Sequence, residues 1–286
     1  MAKIGFLGIG MMGHPMAETL AQAGHDVVAW NRNRAKADAL QGVTVAARPA
    51  DAAQGADFVI SMLSDGAASL AVMDQPDLRA ALSDGQIWIE MASIKPAEAR
   101  AQSASLAALG VAHLDAPVSG GTDGAKAATL AIMVGGDPAT FAAARDLLAA
   151  MGTPVLVGPS GSGQLAKLAN QGIVAITIGA VAEAMLLLQR GGADPAAVRE
   201  ALRGGFADST VLQLHGARMT DNDLAPRGRA AIQLKDLDNI MDEATSAGLT
   251  LPLTADMQAR FDHLCNEMGG ADLDHAALYL ELLARN

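Results

Sequence analysis

Short apolar runs, each closed by glycine or small polar residues and followed by a stretch with helical spacing, recur from the N-terminus to about Ser160. The spacing predicts strands at residues 3–7, 25–30, 57–63, 86–91, 112–116, 129–134 and 154–157. It predicts helices over MAETLAQAG, closed by Gly24, over AKADAL, into 50–55, from 65 to 73, from 96 to 109 and from 141 to 151. Strands alternating with helices in this way imply an α/β fold built on a doubly wound, mainly parallel sheet. Beyond Ser160 only helical spacing is found, broken at Gly191-Gly192, Gly204-Gly205 and Gly269-Gly270, with no internal repeat. The expected organisation is therefore a sheet domain over 1–160 and an all-helical domain over 161–286.

The junction is one stretch, GSGQLAKLANQGIVAITIGAVAEAMLLLQR, and from Leu168 to Ala182 it carries no ionisable side chain. A helix of this length spans about 45 Å and, being apolar all round, is expected to be buried on nearly every face. The alternative is a membrane span, since 168–188 has the length of one. Glu183 interrupts it, Asn170 and Gln171 open it, and neither a second span nor a basic flank follows, so burial between domains is the reading adopted.

Composition narrows the field. Hydrophobic residues make up 51% of the chain and aromatics 3%, so the core is built from Ala, Leu, Val, Ile and Met. The net charge of −11 and the absence of a basic run argue against nucleic acid and anionic membrane as partners. A single cysteine rules out an internal disulfide and favours a reduced, cytoplasmic location. The six histidines are too scattered in sequence to suggest a metal cluster, and no metal is expected. The N-terminus has the glycine spacing of a folded turn, and a retained, folded segment is expected there instead of a signal peptide.

The candidate chemistry sits at the ends of the strands. Gly8-Ile9-Gly10-Met11-Met12-Gly13 follows a strand and opens a helix, the context in which such glycines cradle a dinucleotide pyrophosphate. After the second strand, where an acidic residue would bind a ribose 2′-hydroxyl, the chain has Asn31-Arg32-Asn33-Arg34. A guanidinium there suits a 2′-phosphate, so NADP is favoured with NAD possible; the arginines also suit a solvated helix start. Leu63-Ser64 and Ser93 end strands on the side where such sheets bind ligands. Ser119-Gly120-Gly121 is either an anion-binding turn or a flexible turn into the next strand. Lys167 opens the long helix, where the positive end of the helix dipole and partial burial disfavour its charge and make it a candidate proton carrier. Asn170 and Gln171 share its face; a lysine that snorkels to water beside two surface amides is the competing reading. Lys235-Asp236 reads by default as a surface ion pair.

Taken together and in order, FLGIGMMGHPMAETLAQAGHDVVAWNR, DAPVSGG, GSGQLAKLANQ and QLKDLDNI resemble the β-hydroxyacid dehydrogenase family over essentially the whole chain. The resemblance implies an N-terminal Rossmann domain, a long interdomain helix and an all-helical C-terminal domain, with the active site in the cleft between the domains. It implies hydride transfer between a nicotinamide and a 3-hydroxy acid or its semialdehyde, of the 3-hydroxyisobutyrate, tartronate semialdehyde or succinic semialdehyde type. It assigns proton transfer to Lys167, the substrate carboxylate to Ser119, Gly120 and Gly121, and substrate orientation to Asn170. Ser93 matches a position near the nicotinamide, and Lys235 and Asp236 match a cofactor and cleft-closing pair. The chain departs from the pattern at Arg227-Gly228-Arg229-Ala230-Ala231 and at Leu63-Ser64, where many members have Leu-Pro, and these changes bear on substrate identity. Either arginine is a candidate for a second substrate carboxylate. Two alternatives are an imine reductase, against which Lys167 counts, and a non-catalytic dinucleotide sensor. A homodimer or homotetramer through the helical domain is expected.

Overall fold

The computed structural model describes residues 1–286, which form two compact units, Met1–Lys167 and Leu168–Asn286. The first contains β1 (Lys3–Leu7), α1 (Gly13–Gln22), β2 (Asp26–Trp30), α2 (Arg34–Asp38), β3 (Thr44–Val45), α3 (Pro49–Ala53), β4 (Phe58–Ser61), α4 (Gly66–Met73) and α5 (Pro76–Ala81). It continues with β5 (Ile87–Glu90), α6 (Pro96–Ala107), β6 (Ala112–Asp115), β7 (Val118–Ser119), α7 (Gly121–Lys126), β8 (Leu130–Gly136), α8 (Pro138–Ala149) and β9 (Gly152–Gly158). The strands form one sheet in the order β3-β2-β1-β4-β5-β6-β8-β7, with β9 paired to β8. From β3 to β6 every pairing is parallel; β8 runs antiparallel to β6 and β7, and β9 parallel to β8.

The strands are apolar at consecutive positions because helices cover both faces. Ile4, Phe6, Ile60, Ile89 and Leu114 enter one buried cluster, while Leu7, Val59 and Trp88 enter the other. Gly5 is small for the same reason: a Cβ there would lie 2.5 Å from the Ala52 carbonyl oxygen on α3. Proline in the first turn of α3, α5, α6 and α8 supplies the fixed φ that starts each helix where no amide donor is needed.

Several short elements escape the periodicity. β3 and β7 have two residues each, too few to alternate visibly, and α5 follows α4 without an intervening strand. Of the two readings of Ser119-Gly120-Gly121, the flexible turn straight into the next strand is corrected: the segment caps α7, with Gly120 at φ +133° and Gly121 at φ +64°. β8 runs past its expected end, and β9 extends beyond both expected limits.

α9 (Ser162–Arg190) starts within the first unit and continues through the second. α10 (Pro195–Ala201), α11 (Thr210–Asp221), α12 (Ala230–Ser246), α13 (Pro252–Asp262) and α14 (Leu278–Ala284) complete the helical unit, with a π-helical turn at His263–Glu267 and a 3-10 turn at His275–Ala277. Leu168, Ala175, Ile178, Val181, Ala182 and Met185 project from α9 into that unit's core. Gly179 lets α13 approach, since a Cβ would lie 2.5 Å from Met257 Sδ. The expectation of burial on nearly every face is corrected: Leu165, Ala169, Ile173, Ala180, Ala184 and Leu187 form an exposed apolar stripe, with Ile173 67% and Leu187 74% accessible. Its members are spaced three, four or, across Thr177, seven residues apart, so one side of a largely apolar helix lacks a partner in the single chain. α9 is long and apolar enough to cross a membrane by length and composition, yet its opposite face is the spine of the helical core.

Candidate active site

The glycine turn is shaped by contacts that exclude side chains at two positions and leave the third open. Gly8 has φ +107°, and a Cβ there would lie 2.4 Å from the Met62 carbonyl oxygen. At Gly13 a Cβ would meet the Gly8 carbonyl oxygen at 2.0 Å. At Gly10 nothing lies within 4 Å, which is the space a ligand backbone contact requires. A cavity of about 420 Å³ adjoins it, lined by Ile9, Gly10, Met11, His14, Ala35, Lys36 and Ala39. The residues present therefore fit a dinucleotide: an open glycine backbone at a helix start beside a cavity with a cation on its wall.

The residues after β2 divide by role. Asn31 Oδ1 accepts from the Ile9 amide at 3.0 Å and its Nδ2 donates to the Asn33 carbonyl at 2.8 Å, tying the glycine turn to the end of β2. Asn33 caps α2 by accepting from the Ala35 amide. Arg34 pairs with Asp38. Arg32 is exposed, while the cation that lines the cavity is Lys36, which sequence reasoning passed over. Its signal was present: Lys36 sits in the first turn of the helix after the fingerprint's second strand. Met11 is exposed and Met12 packs partly against the core.

The loops after β4 and β5 carry Leu63, Ser64 and Ser93, all at least partly accessible. Ser64 Oγ donates to Asp65 at 2.8 Å, and Asp65 caps α4 by accepting from the Ala68 amide. The Ser93 loop is clamped by a buried amide that the sequence did not single out. Gln164, at the start of α9, accepts from the Ile94 amide at 3.0 Å and donates to the Ala92 carbonyl at 2.8 Å. Asp115, at the end of β6, accepts from the Gly161 and Gln164 amides at 2.7 and 2.9 Å. It thus caps α9 with a carboxylate that burial pushes above the usual carboxylate range and these amides pull down. Together they fix the first turns of α9, and with them Lys167, against the ends of β5 and β6. Lys167 is half-buried. Ser119 is half-buried on β7, and beyond it Gly120 and Gly121 hold the two left-handed conformations described above.

In the helical unit, Asn170 Nδ2 donates to Gln171 Oε1 at 2.9 Å, and Gln171 Nε2 donates to Asp236 Oδ2 at 2.7 Å. Gln233 Nε2 reaches the Gln171 carbonyl at 3.2 Å. The Lys235–Asp236 pair, 3.2 Å apart, departs from the surface reading because Asp236 is 1% exposed and sits inside this amide network. Arg227 and Arg229, considered above for a second carboxylate, pair with Asp223 and Asp272. The histidines are less scattered than their numbering suggests: α11 and the 3-10 turn bring His215 and His275 together around Asp274, with ligand atoms within 4.8 Å of one another. Asp274 Oδ1 accepts from Arg218 Nη1 at 2.7 Å and from the Ala276 amide, and Oδ2 accepts from the Arg227 and Gly228 amides. Its acceptor sites are thus spoken for by the protein, as in a structural hub.

Residues 3–158 match the family described as the NAD binding domain of 6-phosphogluconate dehydrogenase, and residues 161–282 that described as NAD-binding of NADP-dependent 3-hydroxyisobutyrate dehydrogenase. The 2-hydroxy-3-oxopropionate reductase of Escherichia coli K12 is 40% identical over 99% of both chains. The chain belongs to the β-hydroxyacid dehydrogenase family. The solved structure of Mycobacterium tuberculosis 3-hydroxyisobutyrate dehydrogenase with L-serine has a TM-score of 0.88 at 33% identity, covering 99% of each chain. The NAD-dependent L-serine dehydrogenase of Pseudomonas aeruginosa is 36% identical over 88% of this chain and 89% of its own. As a β-hydroxyacid dehydrogenase the chain is an enzyme that binds a nicotinamide dinucleotide and performs NAD(P)-dependent hydroxyacid oxidoreduction.

Proposed function

We propose that this β-hydroxyacid dehydrogenase interconverts a small 3-hydroxy acid and its semialdehyde, of the 2-hydroxy-3-oxopropionate class, with NADP preferred over NAD. The observation that carries the reading is the clamped start of α9: Asp115 and Gln164 hold the turn bearing Lys167 against the strand ends that also carry Ser93. A bound nicotinamide supplies the hydride donor or acceptor. Gly8, Gly10, Met11, Met12 and Gly13 receive the pyrophosphate, and Leu63, Ser64 and Ser93 line the nicotinamide side. Ser119, Gly120 and Gly121 hold the substrate carboxylate, while Asn170 and Asp236 orient the substrate and Lys235 contacts the cofactor. Lys167 gives a proton to the oxygen of the forming alkoxide in reduction and takes it back in oxidation.

The preference for NADP rests on Arg32 together with Lys36, whose ammonium is on the wall of the cavity beside Gly10. The exposed stripe of α9 supports a homo-oligomer, since an apolar helix face of six turns without cover calls for a second copy. A cytoplasmic location suits a chain whose single cysteine, Cys265, can form no internal disulfide.

A panel of semialdehydes and 3-hydroxy acids assayed with NADPH and NADH tests the proposal. The expected result is highest kcat/KM on a short carboxylate semialdehyde with NADPH; activity confined to imines, or absent on every carboxylate substrate, overturns it.

A further inference from the structure

At the end of β5 the chain buries a carboxylate completely: Glu90 is 0% exposed and faces no cation. Its Oε1 accepts from the Ala92 amide at 3.1 Å. Its Oε2 accepts from Ser69 Oγ on α4 and, at 3.2 Å, from Gln102 Nε2 on α6. Ser69 in turn lies 3.1 Å from Ser61 Oγ at the end of β4 and 3.0 Å from Gln102 Nε2. Gln102 Oε1 meets His113 Nε2 at 3.2 Å. A charge this deep costs stability and would be replaced by an apolar side chain if packing were its only purpose.

The donors converge on an ionised acceptor. Counted through, Gln102 gives both amide hydrogens to Ser69 and Glu90, Ser61 donates to Ser69, and Ser69 donates to Glu90. Protonating Glu90 at Oε2 reverses the Ser69 hydroxyl toward Ser61 and leaves the Ser61 proton facing an oxygen that now donates to it. Two members of this network, Ser61 and Glu90, are the residues from which the loops at 62–65 and 91–94 spring, and Ala92 directly precedes Ser93.

We propose that Glu90 is a positioning residue for dinucleotide binding: its carboxylate, shared by Ser69, Gln102 and the Ala92 amide, locks the loops after β4 and β5 in the form that receives the cofactor. The claim that these loops face the nicotinamide rests on the site reading above. Gln164 grips the 91–94 loop from its other side, so Glu90 is the half of the clamp that titrates. Burial pushes its carboxyl up to about 7, against the pull of its donors. The charged and titratable groups around it have their own partners. His113 on β6 is held neutral by burial, with a pKa lowered to about 3. Asp115, its register partner on β6, turns to the Gly161 and Gln164 amides. Asp65 caps α4 and Glu98 on α6 accepts from the Lys95 amide.

The test is NADPH and NADH affinity of the full-length protein between pH 5.5 and 8.5, followed by nicotinamide fluorescence, in wild type, Glu90→Gln and Ser69→Ala. Wild-type affinity should fall about tenfold as pH drops through the Glu90 transition, the size expected from loss of one charge-assisted hydrogen bond. Glu90→Gln should bind about tenfold more weakly at pH 8 and lose that pH dependence. Ser69→Ala, which removes one donor to the same carboxylate, should keep the transition but move its midpoint upward; it decides the matter if Glu90→Gln does not fold. Wild-type affinity and an unchanged pH profile in Glu90→Gln, or an unmoved midpoint in Ser69→Ala, overturns the proposal. The assay uses no substrate, so inactivity on every hydroxy acid would count against the substrate reading alone.

Discussion

The sheet unit and the helical unit both bury charge, but they use it differently. In the sheet unit the buried acids Glu90 and Asp115 accept from backbone amides and neutral side chains and face no cation, and both carboxyls are pushed up by burial. In the helical unit the buried acids have cations: Asp274 pairs with Arg218, and Glu281 with Arg260 at 3.1 Å and with Arg285. A buried ion pair staples elements together, whereas a lone buried carboxylate fixes backbone amides and stays able to titrate. The first arrangement builds a scaffold; the second fixes the backbone at the strand ends, where the proposed cofactor site lies.

The comparison predicts its largest effect at Asp274. Removing it leaves the Arg218 guanidinium buried without its closest anion and strips acceptors from the Arg227, Gly228 and Ala276 amides. Asp274→Ala should cost about 3–5 kcal/mol in the helical unit, read as a lower urea midpoint for that unit's transition. A loss below about 1 kcal/mol would show that the hub is not what holds this region.

A smaller but sharper contrast is available within the glycine turn. Gly13→Ala drives a Cβ into the Gly8 carbonyl oxygen and should weaken both folding of the sheet unit and dinucleotide binding. Gly10→Ala enters open space, so thermal stability should stay near wild type while NADPH affinity falls about tenfold or more. Loss of stability in Gly10→Ala with affinity preserved would reverse the roles assigned.

The units should also lose stability in acid to different extents. His215 and His275 are held neutral by burial, the first with a pKa lowered to about 4. The unfolded chain binds protons there below about 6.5 and the folded one does not, so helical-unit stability should fall as pH drops from 6.5 to 4. In the sheet unit His113 acts in the same direction, with its folded pKa near 3, but Glu90 opposes it. Folded Glu90 keeps its proton between about 4.5 and 7 where the unfolded chain has lost it, so its contribution falls as pH rises through that window, by at most roughly 1.4 kcal/mol per unit. Melting curves from pH 4 to 7 should show a steeper acid loss in the helical unit, and Glu90→Gln should give the sheet unit a similar slope. Equal slopes in wild type would contradict the opposition.

Much of this was legible beforehand because it rests on local pattern. Alternating apolar runs specified β1, β2, β4, β5 and β6, and Gly8, Gly10 and Gly13 announced a turn, in which Gly8 and Gly13 prove to be crowded and Gly10 open. What escaped was of two kinds. β3, β7 and α7 are too short for periodicity to register. Glu90, Asp115 and Gln164 take their meaning from partners on other elements, such as Ala92, which is 72 residues from Gln164. The exposed stripe on α9 was hidden for a different reason: a helix apolar on every side does not say which side is covered by its own chain.

The central claim is that Lys167 transfers the proton in a hydroxyacid oxidoreduction, and single-turnover reduction by Lys167→Ala tests it most directly. Lys167 lies on α9, outside the glycine turn, so its removal takes nothing from the pyrophosphate cradle. The expected result is a rate lower by ~10² to 10⁴ with NADPH affinity close to wild type. A variant that keeps more than about a tenth of the wild-type rate on the best substrate would contradict the account.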